Sequence, residues 1–162
     1  MRNLTVAVVA ALFALPGLAA AAEPVVSVTF GPKMDKKLTE YGRRDTDRLA
    51  GDLERSVLRE AARTGALEDA RIDLVIEDVV PNRPTFQQMA DKPGLSFESF
   101  GVGGAKVSGT VTTADGRSFP VSYSWYETDI RWAQTAGTWT DAESAFDRFA
   151  RRIAAGDAVA AR

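Results

Sequence analysis

Two alternating runs meet at Asp115-Gly116, and that meeting constrains the chain more than any other feature of its 162 residues. Lys106 to Thr113 places Val107, Gly109 and Val111 on one side. The return from Arg117 places Phe119, Val121, Tyr123 and Trp125 on the matching side, against Ser118, Ser122 and Ser124. Period-two alternation on both flanks of Asp-Gly predicts a β-hairpin, because that dipeptide tolerates the positive φ angles of a tight turn. One face of the pair is buried and the other, rich in Ser and Thr, is solvated. Pro120 falls on the solvated parity and has no N–H to donate, which puts the return strand near a sheet edge.

The rest of the chain supplies partners for this hairpin. Val25 to Phe30 alternates, with Val26, Val28 and Phe30 opposed to Ser27 and Thr29, and stops at Gly31-Pro32, as a half-buried strand does. Lys33 to Arg44 is polar and reads as a loop with one helical turn. From Asp45 the period changes: Leu49, Leu53, Val57, Leu58, Ala61 and Ala62 recur at helical spacing, with Asp45 or Thr46 as cap and Gly65 as stop. Asp52, Glu54, Arg55, Arg59 and Glu60 form a solvated face. Arg71 to Val80 sets Ile72, Leu74 and Ile76 against Asp73 and Val75, an inner strand ended by Pro81. Pro81 to Gly104 has no sustained period. Thr140-Asp141-Ala142-Glu143 is a capping-box signature, followed by Ala142, Ala145, Phe146, Phe149 and Ile153 on one helical stripe and by Gly156. The predicted fold is α+β: a small mixed, mostly antiparallel sheet of about four strands, in the order β-α-β-long loop-β-β-α, with two helices packed on one face.

Arg2, the apolar run Val6 to Leu15, the break at Pro16-Gly17 and the small residues Ala20-Ala21-Ala22 have the layout of a secretory signal peptide over residues 1–22. The apolar run is about half the roughly 20 residues a membrane span requires. Residues 23–156 then form a single domain, 157–162 a frayed tail, and the expected location is the periplasm, or secretion, after cleavage near Ala22.

Composition narrows the chemistry. The chain has no His and no Cys, so disulfides, thiolate nucleophiles, Cys-ligated zinc and His-based triads are all excluded. Twenty basic against 22 acidic residues, a formal charge of −2, leave no concentrated basic stripe for nucleic acid. Acid–base work falls to carboxylates. Glu77 and Asp78 are adjacent on a strand and point to opposite faces. Glu127 and Asp129 share a parity and could stand about 7 Å apart on one face, a spacing compatible with glycoside hydrolysis. Gly101, Gly103 and Gly104 precede a strand instead of a helix and so make no phosphate cradle; they read as a flexible lead into that strand. Trp125, Trp132 and Trp139 recur every seven residues, and strand parity flips between them, so Trp125 reads as core and Trp139 as closing the last helix onto the sheet.

Pro81 to Gly104 is the region of interest, because a long irregular connection in a small domain is usually functional or disordered. Phe86, Met89, Leu95, Phe97 and Phe100 lie there among charged residues. Folded over the sheet they form a satellite core; otherwise they form an exposed apolar patch of the kind that marks a partner site. Phe86, Met89, Phe97, Phe100 and Trp132 are therefore the candidate binding residues.

The order of elements, together with Trp139-Thr140-Asp141-Ala142-Glu143-Ser144-Ala145-Phe146-Asp147-Arg148-Phe149-Ala150, resembles lipoprotein-type domains of Gram-negative envelopes. In those, a tryptophan, a capped start and an Ala-Phe-Asp-x-aromatic-Ala run open the last helix after a hairpin turning at Asp-Gly or Asp-x-x-Gly. This chain departs from them in having no lipidation cysteine, so the resemblance implies a soluble relative. It implies an envelope location and a small α/β domain, and brings no catalytic residues. The expectation is a non-catalytic exported module, with no cofactor, that binds a protein or envelope component through residues 81–104 and a sheet edge. A carboxylate-dependent glycan hydrolase and a small-ligand carrier with a pocket under the loop are the alternatives.

Overall fold

The computed structural model describes residues 22–157. Apart from their innermost residues, the expected leader and tail lie outside that range. The elements in chain order are β1 (Val25–Phe30), a 3₁₀ turn (Pro32–Met34), α1 (Asp35–Tyr41), α2 (Arg43–Thr64), β2 (Arg71–Val80), α3 (Phe86–Asp91), β3 (Gly104–Thr112), β4 (Ser118–Tyr126), a second 3₁₀ turn (Ile130–Thr135) and α4 (Thr140–Ala154). One sheet runs β1-β2-β3-β4, with β1 parallel to β2 and the other neighbours antiparallel. The α+β class and the mostly antiparallel four-stranded sheet are those the sequence predicts. Val107 faces Tyr123, Gly109 faces Val121 and Val111 faces Phe119, so these residues share one face of the hairpin as predicted. Gly116 turns it with φ of 82°.

The core lies between one face of the sheet and the pair α2 and α4. Leu49, Leu53 and Val57 from α2 and Phe146, Phe149 and Ile153 from α4 meet Ile72, Leu74, Ile76, Val107, Val111 and Val121. Each such side chain contributes roughly 1.5–3 kcal/mol when fully buried. Trp139 is buried just ahead of α4, with its ring edge-on to Tyr41 at 5.3 Å and its indole N–H donating to Asp45 at 2.7 Å. Trp125 closes the β4 side half-buried, under the Arg148 guanidinium at 4.0 Å. The opposite face of the sheet is open and carries exposed Ser27, Thr29, Lys106, Thr110, Ser118 and Ser124.

Tertiary partners override several local expectations. α2 starts at Arg43 after Gly42, without a side-chain cap, because Asp45 is taken by Trp139 and the Thr46 hydroxyl donates back to the Arg43 carbonyl at 2.9 Å. Its polar face is a seam as well as a solvated surface: Arg48 reaches Glu143 at 2.7 Å and Arg59 reaches Asp147 at 2.6 Å, both on α4. Residues 33–44 hold a 3₁₀ turn and all of α1, and α3 adds a further short helix, so the two expected long helices have two short companions.

Candidate binding surface

The segment after β2 is anchored by a buried polar knot. Asn82 is 2% exposed and Asp141, in the first turn of α4, 7%. The Asp141 N–H donates to Asn82 Oδ1 at 2.9 Å, Asn82 Nδ2 donates back to the Asp141 carboxylate, and the Gly103 N–H donates to that carboxylate at 2.8 Å. Asn82 also exchanges backbone contacts, donating to the Thr138 carbonyl at 2.8 Å and accepting from the Gly101 N–H at 2.8 Å. Both ends of the long connection and the start of α4 therefore share one set of buried hydrogen bonds. The expected Thr140–Glu143 capping box is not made: Thr140 Oγ1 accepts from the Gly137 N–H at 2.9 Å, while Glu143 is held by Arg48. Gly103 and Gly104 are likewise no flexible lead. A Cβ on Gly103 would sit 2.7 Å from the Val80 carbonyl oxygen, and one on Gly104 2.4 Å from that of Trp125, so these positions permit close backbone approach.

Beyond the knot, Arg83 binds carbonyls instead of carboxylates. Its Nε reaches the Ala136 oxygen at 2.7 Å, one Nη the Gln134 oxygen at 2.6 Å, and the other the Phe97 oxygen, tying the connection to the second 3₁₀ turn. α3 has a reciprocal capping box, Gln88 N–H to Thr85 Oγ1 at 3.2 Å and Thr85 N–H to Gln88 Oε1 at 3.1 Å. It docks on α1 through Glu40, which accepts from Gln88 Nε2 at 3.1 Å and from Lys92. Those two donors, Lys92 first, hold the Glu40 carboxyl below its ordinary range.

The aromatic side chains stand outside this frame. Phe86 is 63% exposed, Phe97 48% and Phe100 43%. Phe86 and Phe97 meet edge-on at 5.3 Å, and the Arg83 guanidinium, bonded to the Phe97 carbonyl, lies 5.7 Å from the Phe100 ring, so Arg83 links Phe100 to that pair. Shallow depressions of about 150 and 250 Å³ flank Pro84, one lined by Phe86 and Phe97, the other by Leu95 and Phe100. Met89 is half-buried on α3. Trp132 is 69% exposed on the second 3₁₀ turn and makes no ring contact with the phenylalanines among the described residues. The backbone of the segment is held, but none of its five apolar side chains is buried or joins the core: Met89 and Leu95 are half-buried and the three phenylalanines exposed, so the expected satellite core is not formed. Asn82, Asp141 and Thr85 escaped the sequence reading, although Thr85-x-x-Gln88 carries the helix-start signature.

The carboxylates are committed locally. Glu127 lies just past the end of β4, and its Oε1 accepts from the Thr128 and Asp129 N–H groups at 2.7 and 3.0 Å. Asp129 caps the second 3₁₀ turn, and its hydrogen bond to Arg131 holds it below the ordinary carboxylate range, opposite to the shift a general acid needs. Glu77 and Asp78 are not on opposite faces, because a bulge between Ile76 and Asp78 interrupts the alternation. Glu77 accepts from the Ser108 hydroxyl at 2.6 Å; Asp78 takes the Tyr126 hydroxyl at 2.7 Å and the Lys37 ammonium at 2.5 Å. Burial pushes the Asp78 carboxyl up, but Lys37 and Tyr126 outweigh it and the net shift is downward. Burial also raises the phenols of Tyr41 and Tyr126, so neither is a base near neutrality.

No protein-family model and no curated protein matches the chain. Among solved structures it is similar to a minor lipoprotein from Acinetobacter baumannii, at 13% identity over 88% of this chain and 98% of that one, with a TM-score of 0.34. At that score the likeness brings neither a site nor an activity to this chain. No described helix is long and apolar enough to cross a membrane.

Proposed function

We propose that the chain is a non-catalytic exported module that binds a protein or envelope component through the surface built by residues 81–104. The observation that carries this reading is the exposure of Phe86, Phe97 and Phe100 on a backbone that Asn82, Arg83 and the α3 capping box hold in place. Exposed rings on a fixed frame bind without the ordering cost of a loose loop. Covering what remains exposed of the three is worth about 3 kcal/mol, or roughly a hundredfold in Kd. The export half of the reading rests on the leader pattern of residues 1–22. The depressions beside Pro84 are smaller than the roughly 300–1,000 Å³ usual for enclosed ligand sites, which favours a surface over a carrier pocket.

The test is a double variant, Phe86→Ser with Phe97→Ser, compared with wild type for binding to detergent-solubilised envelope fractions by biolayer interferometry. Binding should fall by at least tenfold while the thermal midpoint stays within a few degrees. Equal binding by a folded variant would remove this surface from the function.

A further inference from the structure

The second exposed feature is the outer edge of β1. The Val25 N–H donates to the Ala70 carbonyl at 2.9 Å and the Gly31 N–H to the Ile76 carbonyl at 3.0 Å, so the odd-numbered residues of β1 bond to β2. By the alternation of a strand, Val26, Val28 and Phe30 turn their N–H and C=O groups away from the sheet. An exposed edge is ordinarily blunted by charge, proline or a bulge. β4 has Pro120 for this purpose. Val25–Phe30 reads Val-Val-Ser-Val-Thr-Phe, with none of the three, and Val25 is 68% exposed.

We propose that this edge pairs with the same edge of a second copy, antiparallel about a two-fold axis at Val28, to make one continuous eight-stranded sheet. Two features, the prolines and the charged ends, select this register among those that set outward-facing residues opposite one another. Outward-facing residues must oppose outward-facing residues, and with Val28 opposite itself, Val26 lies opposite Phe30 and exchanges both hydrogen bonds with it. The prolines that end the ladder, Pro24 and Pro32, also fall opposite each other, so neither copy leaves a donor facing a residue that lacks one of its own. Glu23 of one copy then comes to the end at which Lys33 of the other stands; both are exposed, and neither makes an ion pair among the described residues. The side chains agree as well: Val26 with Phe30 on the helix side, Ser27 with Thr29 on the open side. An axis normal to the sheet keeps both helical layers on one side. There the flank of α2 beside the start of β1 presents a depression of about 200 Å³ lined by Pro24, Leu58, Ala61 and Ala62 with Glu23 and Glu68.

The state of the purified chain, residues 23–162, is read by light scattering on a sizing column at about 50 μM. Twice the chain mass is expected, and a monomer overturns the proposal. Val28→Pro removes an outward N–H that no internal bond uses, and should give a monomer with an unchanged circular dichroism spectrum; a dimer that persists in this variant places the interface elsewhere and overturns the proposal too. Because the chain has no cysteine, Ser27→Cys with Thr29→Cys gives a clean cross-link. Oxidation should convert this pair of substitutions to covalent dimer and leave Ser27→Cys alone mostly uncrosslinked. No covalent dimer from the pair would refute the register even if Val28→Pro fails to fold.

Discussion

At the residue scale, Asn82 has more partners than any aromatic residue on the surface it supports. Its amide satisfies both the N–H and the carboxylate of Asp141. Asn82→Ala strands a buried carboxylate short of a donor and leaves the Asp141 N–H without its acceptor. The expected loss is about 2–4 kcal/mol, measured by urea unfolding. Asn82→Asp sets a second carboxylate against the first and should cost at least as much. The Asp78 cluster yields a pH prediction of definite sign. Its folded carboxyl titrates below the ordinary value, so the stability it contributes is present above the unfolded pKa, near pH 4, and is lost as pH falls through the folded pKa. Lys37→Met removes the cation that, together with Tyr126, outweighs burial. Its stability should change less between pH 5 and pH 3 than that of wild type, as unfolding midpoints across that range will register.

At the scale of elements, two helix starts carry the same signature and only one of them makes its bonds. Thr140-x-x-Glu143 has the signature and lacks the bonds, so Thr140→Ala should cost well under 1 kcal/mol, while Asp141→Ala costs about 2 kcal/mol through the knot. Thr85 makes the real box. Thr85→Ala should cost about 1 kcal/mol and raise amide hydrogen exchange across Phe86–Asp91 before anywhere else. Strands were legible because burial on one face writes itself as alternation: the span of Arg71–Val80 and the shared face of Gly109 and Val121 could be read directly. The stripe of α2 was equally legible, whereas its start was not, since Asp45 answers to Trp139, 94 residues away. The candidate binding surface was legible as composition only. Phenylalanines in an aperiodic stretch point to a region, but their exposure depends on Arg83 finding three carbonyl oxygens, one of them in the second 3₁₀ turn and one on Ala136 at its end.

At the scale of the molecule, the sheet depends on tight spacing at its centre. A Cβ at Gly109 would sit 2.3 Å from the Asp73 carbonyl oxygen, which forces β2 and β3 apart in the middle of the core. Gly109→Ala is expected to cost about 3 kcal/mol and to lower the thermal midpoint by more than any surface substitution named above. The order β1-β2-β3-β4 has a temporal consequence as well. β3 and β4 close over a short turn, whereas β1 reaches its neighbour only after the whole of α2 has been laid across the sheet. Loop-closure entropy favours the near contact over the distant one, so the ribbon nearest the N-terminus is the last to settle. Collapse of the other three strands does not wait for it. Assembly into a pair does, since the edge that a second copy reads comes into being only with the final step of folding.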